Sequence, residues 1–277
     1  MPRIALISDI HANAEALGAV LRDAEIARAD LFVCLGDVVG YGPDPDLCLD
    51  LVAQHCIVSI LGNHDEAILR PELALAFNER AQESVAFTRS RLTSGHLMLI
   101  GSMRRTALVA GVSLSHGSFG PNRYEYLTTP GAALRALRGL RTPVGCVGHT
   151  HVPGAFILTA DPDDPNDPHR PSDPHRPNDP HRLDNPDARG ATLESVTVPE
   201  GAELVIPPGA RAPRVVLNPG SVGQPRDRDH RAAWGLLDTD RRTFSVRRVA
   251  YDIDSVHRKI ERSGLPDHLA QRLKIGA

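Results

Sequence analysis

The sequence predicts an α/β fold that begins with a mainly parallel β-sheet and continues into a second, more antiparallel sheet. In residues 1–61 three short apolar runs alternate with two stretches of helical periodicity, an order typical of right-handed βαβ units. After about residue 105 the apolar runs follow one another with less helix between them, which indicates the second sheet. A length of 277 residues allows one or two domains, and we expect a single domain over 1–277.

The individual elements are predicted from the spacing of apolar side chains. Short runs rich in β-branched residues and leucine predict strands at Ile4–Ile7, Leu31–Leu35, Cys56–Leu61, Val112–Ser115, Val144–Val147, Arg214–Leu217, Trp234–Leu237 and Thr243–Ala250. Apolar residues recurring at intervals of three and four predict helices over Asn13–Ala29, Asp46–Gln54 and Asp254–Ser263. A polar C-terminal segment is expected after the last helix.

One segment, 161–189, differs from the rest of the chain in composition. It contains eight prolines, eight aspartates and a repeated hexad, with DPHRPS at 167, DPHRPN at 173 and DPHR at 179. Because it has almost no apolar residue, it cannot bury enough surface to offset the entropy lost on ordering. We therefore predict an extended, mobile surface loop. Weak metal binding by its three histidines, at 169, 175 and 181, is a less favoured alternative.

Composition argues against several classes of function. A net charge of −3 lacks the basic surface of a constitutive nucleic-acid or membrane-surface binder. No apolar stretch approaches the roughly 18 residues of a transmembrane helix, and the N-terminal apolar run is too short for a signal peptide. The four cysteines lie in or beside apolar runs without CxxC spacing, so we expect buried thiols and a cytoplasmic location. The sequence leaves the oligomeric state open.

Polar residues that can bind metals come directly after five of the predicted strands. The segments are Ser8-Asp9-Ile10-His11, Gly36-Asp37, Gly62-Asn63-His64-Asp65, Ser115-His116-Gly117 and Gly148-His149-Thr150-His151. Each alone is also typical of a turn or of an ordinary hydrogen-bonded histidine, but that interpretation does not explain the recurrence. Because ligands of α/β proteins bind at the carboxyl edge of the strands, we expect these residues to converge in one crevice. Alternation would place Asp9 with His11, and His149 with His151, on one side of an extended chain.

This mixture of nitrogen and oxygen donors predicts a transition-metal centre. A set without cysteine suits Mn, Fe, Zn, Co or Ni rather than a structural zinc ion. This number of candidate ligands is too large for one metal with an open position and natural for two metals that share a bridge. Two such sites about 3.5–4 Å apart are used for displacement at phosphorus.

The order D-x-H, GD, GNHD, HG and GHTH resembles the motifs of the calcineurin-like metallophosphoesterases. The resemblance spans about 3–155 and resumes at 217–227, where LNPGSVGQPRD is typical of the small bacterial branch. It implies a four-layer αββα sandwich with two mixed central sheets and a site for two divalent metals, of which Mn is favoured. It also implies a ligand for each metal at these positions: Asp9, His11 and His151 for the first, Asn63, His116 and His149 for the second, and Asp37 as the bridge. Two divalent ions and two carboxylates would leave a net positive charge that attracts phosphate.

Within GNHD, the resemblance leaves His64 as a residue that reaches the scissile phosphate without binding metal. His64 would donate to the leaving oxygen or stabilise charge in the transition state. Asp65 would fix the tautomer of His64 and raise its pKa. Alternatively, Asp65 is the N-cap of a helix over Glu66–Leu69.

One departure from the family pattern narrows the expected substrate. Protein serine/threonine phosphatases and symmetrically cleaving diadenosine tetraphosphatases carry GD-x-x-D-R-G, whereas this chain reads GDVVGYGP. The chain therefore looks more similar to bacterial phosphodiesterases and asymmetric dinucleoside-polyphosphate hydrolases. We expect a small phosphodiester or nucleotide substrate. The alternatives are a phosphomonoesterase and a non-catalytic scaffold. The full ligand set argues against the scaffold. Arg123 and Arg226 are candidates for phosphate binding, although either could be a surface arginine.

Overall fold

The structure, a computed structural model, describes residues 1–159, 192–208 and 213–277. Its strands are β1 Arg3–Ile7, β2 Leu31–Cys34, β3 Val58–Ser59, β4 Thr106–Val109, β5 Val112–Ser115, β6 Val144–Cys146, β7 Gly154–Thr159, β8 Thr192–Val196, β9 Leu204–Val205, β10 Arg214–Asn218, β11 Ala232–Asp238 and β12 Thr243–Val249. Its helices are α1 Ala14–Ile26, α2 Pro45–His55, α3 Asn63–Leu69, α4 Glu79–Arg91, α5 Ser94–Ser102, α6 Pro130–Gly139, α7 Ile253–Ser263 and α8 Asp267–Ile275, with a 3-10 helix at Pro71–Ala76. The predicted loop at 161–189 lies outside the described residues.

The described strands form two mixed six-stranded sheets. The first sheet has the order β3-β2-β1-β11-β12-β9, in which β1, β2 and β3 are parallel and the other pairs are antiparallel. The second has the order β4-β5-β6-β10-β7-β8, in which β5, β6 and β10 are parallel. The predicted parallel start is confirmed, and so are the two mixed sheets. The expectation that the second sheet is more antiparallel is wrong, because each sheet of the described strands has two parallel and three antiparallel pairs, and β9, β11 and β12 join the first sheet.

Alternation of side chains along the strands generates the layers. In β1, Ile4 and Leu6 belong to the core between the two sheets, whereas Ala5 and Ile7 face the core beneath α1 and α2. In β10, Val216 points away from the inter-sheet core and packs against α6. The order of layers is therefore helices, first sheet, second sheet and helix. This is the predicted αββα sandwich.

Some elements differ from the sequence prediction. The strand expected over Cys56–Leu61 is reduced to β3, because the backbone N–H of Cys56 still closes α2 on Val52. The segment expected to be polar after α7 contains α8, whose Leu269, Ala270 and Leu273 are buried beside α7. The unpredicted β4 joins β5 through Ala110 and Gly111, both with positive φ, as a tight hairpin requires.

The ends of the parallel strands position the polar motifs. Asp9, Asp37 and Asn63 come after β1, β2 and β3 of the first sheet, and His116 and His149 come after β5 and β6 of the second. The carboxyl ends of parallel strands within one sheet lie at the same edge, so each sheet gathers its own motifs there. In the described ranges, no helix has both the length and the apolar composition that crossing a lipid bilayer would require.

Candidate metal centre

The structure brings the seven predicted ligands together between the two sheets. Six of them are buried, and Asn63 is half-buried. Potential donor atoms of Asp9, His11 and His151 lie within 4.8 Å of one another and form the first donor cluster. Those of Asp37, His116 and His149 form the second donor cluster under the same limit. These groups match the two ligand sets expected from the sequence, apart from Asn63.

Asp37 and Asn63 connect the two clusters. A single oxygen of Asp37, Oδ2, lies 3.8 Å from His11 Nε2 and 3.3 Å from His116 Nε2. The amide oxygen of Asn63 lies 3.2 Å from the same nitrogen of His116. Asp37 therefore stands where a bridging ligand would stand, and Asn63 faces the second donor cluster.

Each imidazole of the two clusters donates one N–H to a backbone carbonyl. The four pairs are His11 Nδ1 to Val39 O at 3.1 Å, His151 Nδ1 to Gln224 O at 2.5 Å, His116 Nδ1 to Leu35 O at 2.8 Å and His149 Nε2 to Tyr124 O at 3.0 Å. A carbonyl oxygen only accepts, so each contact fixes the proton on that nitrogen. The other nitrogen of every ring is aimed into the site, the arrangement typical of metal-binding histidines.

The inward nitrogens approach each other closely. His11 Nε2 lies 3.2 Å from His151 Nε2, and His116 Nε2 lies 3.1 Å from His149 Nδ1. Burial lowers the pKa of His11 and His151, and lowers that of His149 to about 3, so these rings are neutral. In the first donor cluster two lone pairs consequently face each other without a hydrogen between them, and a cation would remove that repulsion. The donor set therefore fits divalent metals.

The second donor cluster differs in the charge of one ring. Burial lowers the pKa of His116, but the neighbouring Asp37 carboxylate outweighs it by charge and hydrogen bonding, and the pKa rises to about 9. Without a cation, a proton on the inward nitrogen of His116 therefore neutralises part of the charge of Asp37. A metal ion at this place would replace that proton.

Five of the predicted ligands have left-handed backbone conformations. The φ angles are 52° at Asp9, 47° at His11, 53° at Asp37, 68° at His149 and 62° at His151. Non-glycine residues rarely adopt such angles, and each costs about 1–3 kcal/mol where the surrounding structure imposes it. The expectation that these pairs alternate along an extended chain is therefore wrong. Tight left-handed turns, not strand alternation, direct both members of each pair into the site.

The segment 217–227 holds the two turns of the first donor cluster. Ser221 Oγ donates to the carbonyl of Asp9 at 2.7 Å, and the carbonyl of Gln224 accepts the N–H of His151. The backbone N–H of Gly223 also donates to Asp9, and a Cβ on this glycine would lie 1.7 Å from the carbonyl of Ile10. Only glycine permits that approach. The LNPGSVGQPRD motif thus positions the predicted ligands.

His64 lies beside both clusters, and its ring contacts are mainly with other rings. Its backbone N–H donates to Asp37 Oδ1 at 2.9 Å, and its ring packs against those of His11, Tyr41 and Phe77 at centroid distances of 4.6–5.0 Å. Its Nδ1 is buried and has no hydrogen-bond partner among the described residues. His64, His11 and Asp37 also have donor atoms within 4.8 Å of one another, so distance alone does not separate His64 from the ligands.

The structure corrects the expectation for Asp65. Its carboxylate accepts four backbone N–H groups, from Asp37 at 2.8 Å, Val38 at 3.0 Å, Val39 at 3.2 Å and Gly62 at 3.1 Å. With its oxygens directed at the backbone, Asp65 neither orients the His64 ring nor raises its pKa, which burial lowers. The N-cap alternative is also wrong, because Gly62 caps α3 and Asp65 lies inside the helix. Asp65 instead holds the 37–39 turn against α3.

The two candidate arginines have different surroundings. Arg123 forms an ion pair with the buried carboxylate of Glu66 and lies over the ring of Tyr124, 4.4 Å from its centroid. Arg226 donates from Nη2 to Gln224 Oε1 at 2.9 Å, and its Nε is buried without a partner in the described ranges. Its positive charge also lowers the pKa of His151 and His64, in each case after burial as the main cause. Arg226 is therefore a cation that faces the first donor cluster.

Sequence reasoning missed an aromatic side chain above the second donor cluster. The ring of Tyr126 stacks on that of His149, with centroids 3.8 Å apart and planes inclined by 27°. Tyr126 is 47% exposed, so the outer face of its ring is open to solvent. Tyr124, by contrast, donates its hydroxyl to Glu66 at 2.8 Å. The only sequence signal for Tyr126 is its place three residues after Arg123.

Comparisons with known proteins agree with this description. A family model described as calcineurin-like phosphoesterase matches residues 2–153. The uncharacterized protein MJ0912 of Methanocaldococcus jannaschii is 29% identical over 278 residues, which cover 99% of this chain and 98% of that protein. The crystal structure of a metallophosphoesterase from Sphaerobacter thermophilus is 31% identical, with a TM-score of 0.77 over 100% of this chain and 99% of its own. That of the hypothetical protein PH1004 from Pyrococcus horikoshii, 16% identical, shares the fold, with a TM-score of 0.71 over 100% and 99%.

Proposed function

The chain belongs to the calcineurin-like phosphoesterase family, and from this premise we propose that it hydrolyses a phosphodiester or a nucleotide phosphoanhydride at a centre of two divalent metals. The observation that carries the proposal is the set of four imidazoles, each with one nitrogen donating to a carbonyl and the other aimed inward. Such preorganisation is characteristic of histidines that bind metal, because the second nitrogen fixes both tautomer and ring orientation.

In this proposal the first metal is held by Asp9, His11 and His151. The second is held by Asn63, His116 and His149, and Asp37 serves both. The metals, with Mn favoured, would polarise the phosphoryl oxygens and lower the pKa of the attacking water. Support comes from the position of Asp37 Oδ2, which lies 3.8 Å from His11 Nε2 and 3.3 Å from His116 Nε2.

His64 acts on the leaving group in this proposal. Burial lowers the pKa of His64, so the ring is neutral in the free protein. A bound phosphoryl group brings negative charge close to the ring and shifts its pKa upward, towards the protonated form that can donate to the leaving oxygen. The position of His64 beside the two donor clusters supports this role, because its backbone N–H donates to Asp37 Oδ1 and its ring packs against that of His11.

We assign phosphate binding to Arg226 rather than to Arg123. Arg123 forms an ion pair with Glu66, whose carboxylate also accepts from the hydroxyl of Tyr124 and lies 3.3 Å from Arg105, so the N–H donors of Arg123 are partly used. Within the described residues, the guanidinium group of Arg226 has an amide oxygen as its partner and no carboxylate. An arginine without a carboxylate partner offers an incoming phosphate more of its charge and more of its N–H donors.

Activity on a small panel of esters tests the proposal. Protein loaded with Mn²⁺ is assayed with bis-p-nitrophenyl phosphate, p-nitrophenyl phosphate, a mononucleotide, a cyclic nucleotide and a dinucleoside tetraphosphate. Faster cleavage of diesters or anhydrides than of monoesters is the expected result. The reverse order would favour the phosphomonoesterase alternative. No turnover with any metal of the series Mn, Fe, Zn, Co and Ni would favour a non-catalytic scaffold.

A further inference from the structure

A tyrosine ring with one open face lies over the second donor cluster. The ring of Tyr126 stacks on that of His149, with 3.8 Å between the ring centroids. The imidazole covers one face of the tyrosine ring, and 47% of Tyr126 is exposed to solvent. Beside the first donor cluster, by contrast, the ring of Tyr41 lies 4.8 Å from that of His11, and Tyr41 is only 9% exposed. The first cluster is therefore covered by a buried tyrosine, whereas the second carries a tyrosine that presents a face to solvent.

The neighbours of Tyr126 in the chain hold its ring in position. The carbonyl of Tyr124 accepts the N–H of His149 at 3.0 Å, which ties the segment before Tyr126 to the imidazole. Glu125 forms an ion pair with an arginine of α6 at 2.5 Å, and Leu127 is buried in the core cluster that contains the apolar side of α6. Because the segment is anchored before a ligand binds, stacking on this ring costs little additional conformational entropy.

Tyr126 and His64 lie beside different donor clusters. The ring of His64 packs against that of His11 in the first cluster, with 5.0 Å between centroids, whereas Tyr126 contacts His149 in the second. In the proposed function the leaving group occupies the space beside His64. The substituent that stays on phosphorus is then left with the side of the second cluster, where Tyr126 lies.

An open aromatic face beside a phosphate site is suited to a flat aromatic ring. Every nucleobase has a π face that can stack on a tyrosine side chain, whatever the identity of the base. Stacking also removes exposed apolar surface of the tyrosine from water. A small alkyl substituent offers no such face. The position of Tyr126 therefore favours substrates that carry a nucleoside.

We propose that Tyr126 is a stacking platform for a nucleobase of the substrate, on the side of the phosphoryl group that is retained. The inference rests on the proposed function and makes its substrate class more specific: an ester or anhydride of a nucleoside phosphate. Water adds to phosphorus, the bond to the leaving oxygen breaks, and that oxygen takes a proton. The nucleoside remains on the phosphate, so one product is a nucleotide.

Two esters with the same leaving group and different retained substituents test the platform in protein loaded with Mn²⁺. Thymidine 5′-(p-nitrophenyl phosphate) keeps a nucleoside on phosphorus, and methyl p-nitrophenyl phosphate keeps a methyl group. The wild type should prefer the thymidine ester. In Tyr126→Ala we expect kcat/KM for the thymidine ester to fall roughly tenfold, mainly through KM, and kcat/KM for the methyl ester to stay within about twofold of the wild type. Tyr126→Phe and Tyr126→Trp keep an aromatic face and should retain most of the wild-type kcat/KM.

Binding of two product-like ligands gives a measurement that does not depend on turnover. Thymidine 5′-monophosphate and inorganic phosphate are titrated into the Mn²⁺-loaded protein by calorimetry. Tyr126→Ala should weaken binding of the nucleotide roughly tenfold and leave the Kd of inorganic phosphate within about twofold of the wild type.

The control is Leu108→Ala, which removes an exposed apolar side chain of β4 opposite Ser113, and it should leave both esters unaffected. Equal losses for the two esters in Tyr126→Ala, or no loss for either, would overturn the platform while leaving the proposed function intact. Equal losses together with a lower metal content would assign Tyr126 to the support of His149 instead. Absence of turnover with every ester and metal would refute the proposed function, and the calorimetric comparison would still decide whether a base stacks on Tyr126.

Discussion

Replacing His64 tests whether this residue acts on the leaving group or binds metal. The substitution His64→Ala removes an imidazole whose Nδ1 has no hydrogen-bond partner in the described ranges, whereas each candidate metal-binding histidine donates to a carbonyl. We therefore expect the variant to keep near-normal metal content. Loss of a positioned proton donor should lower kcat by roughly 10²–10⁴, which corresponds to about 2.7–5.5 kcal/mol of activation free energy.

The cost in stability is expected to be smaller than the cost in rate. The ring of His64 contacts those of His11, Tyr41 and Phe77, so its removal leaves a small cavity and lowers the free energy of unfolding by about 1–3 kcal/mol. A domain with about 5–15 kcal/mol of stability remains folded after such a loss. His64→Gln provides a second variant, because the amide fills much of the space and donates a hydrogen bond without transferring a proton.

The assay combines metal analysis with rates on esters of graded leaving-group pKa. The loss in His64→Ala should be larger for a poor, alkoxide-like leaving group than for p-nitrophenolate, which departs with little protonation. His149→Ala is the matched comparison. It removes a ring anchored to Tyr124 O, so metal should be lost and all esters should suffer alike. Equal metal loss in both variants, or a leaving-group dependence that His64→Ala leaves unchanged, would show that His64 does not act on the leaving group.

The site and its surroundings support three further predictions. Asp37→Asn should nearly abolish activity, since both metals lose a shared oxygen. A chelator should abolish the activity of the wild type, and added Mn²⁺ should restore it. Activity in the presence of chelator with no metal bound would contradict the two-metal proposal. Asp65→Asn should lower the free energy of unfolding in urea by about 2–4 kcal/mol, because an amide has only one oxygen for the four N–H groups, and an unchanged unfolding midpoint would contradict that role. Replacing 162–189 by a short Gly/Ser linker should preserve folding and cleavage of a small ester, because Thr159 and Thr192 are paired neighbours in β7 and β8. Unfolding of that variant would show that the removed segment contributes to the core.

The fold class and the residues that meet in the site could be predicted from the amino-acid sequence. The spacing of apolar residues along a strand or helix follows which side of that element is buried. This spacing is clear in the apolar runs of β1, β2, β5 and β6. Since parallel strands end at a common edge, the polar residues at the strand ends were enough to predict one shared site, and the resemblance to the calcineurin-like metallophosphoesterases implied the seven ligands between Asp9 and His151. The two six-stranded sheets and the two donor clusters agree with that expectation. Their roles as ligands remain predictions for the metal assays.

The way in which those residues are held could not be predicted from the sequence and is seen in the folded chain. The contacts that fix the rings join residues far apart in the chain, such as His116 to Leu35 and His151 to Gln224, and no local pattern encodes them. The contacts of Asp65 are also long-range. Its place next to His64 in the sequence suggests a partner for that ring, but its carboxylate accepts the backbone N–H groups of the 37–39 turn. Local periodicity reports which side of an element is buried. It does not report which groups from distant parts of the chain contact that side. Those contacts set the tautomer and the charge of the side chains in the site.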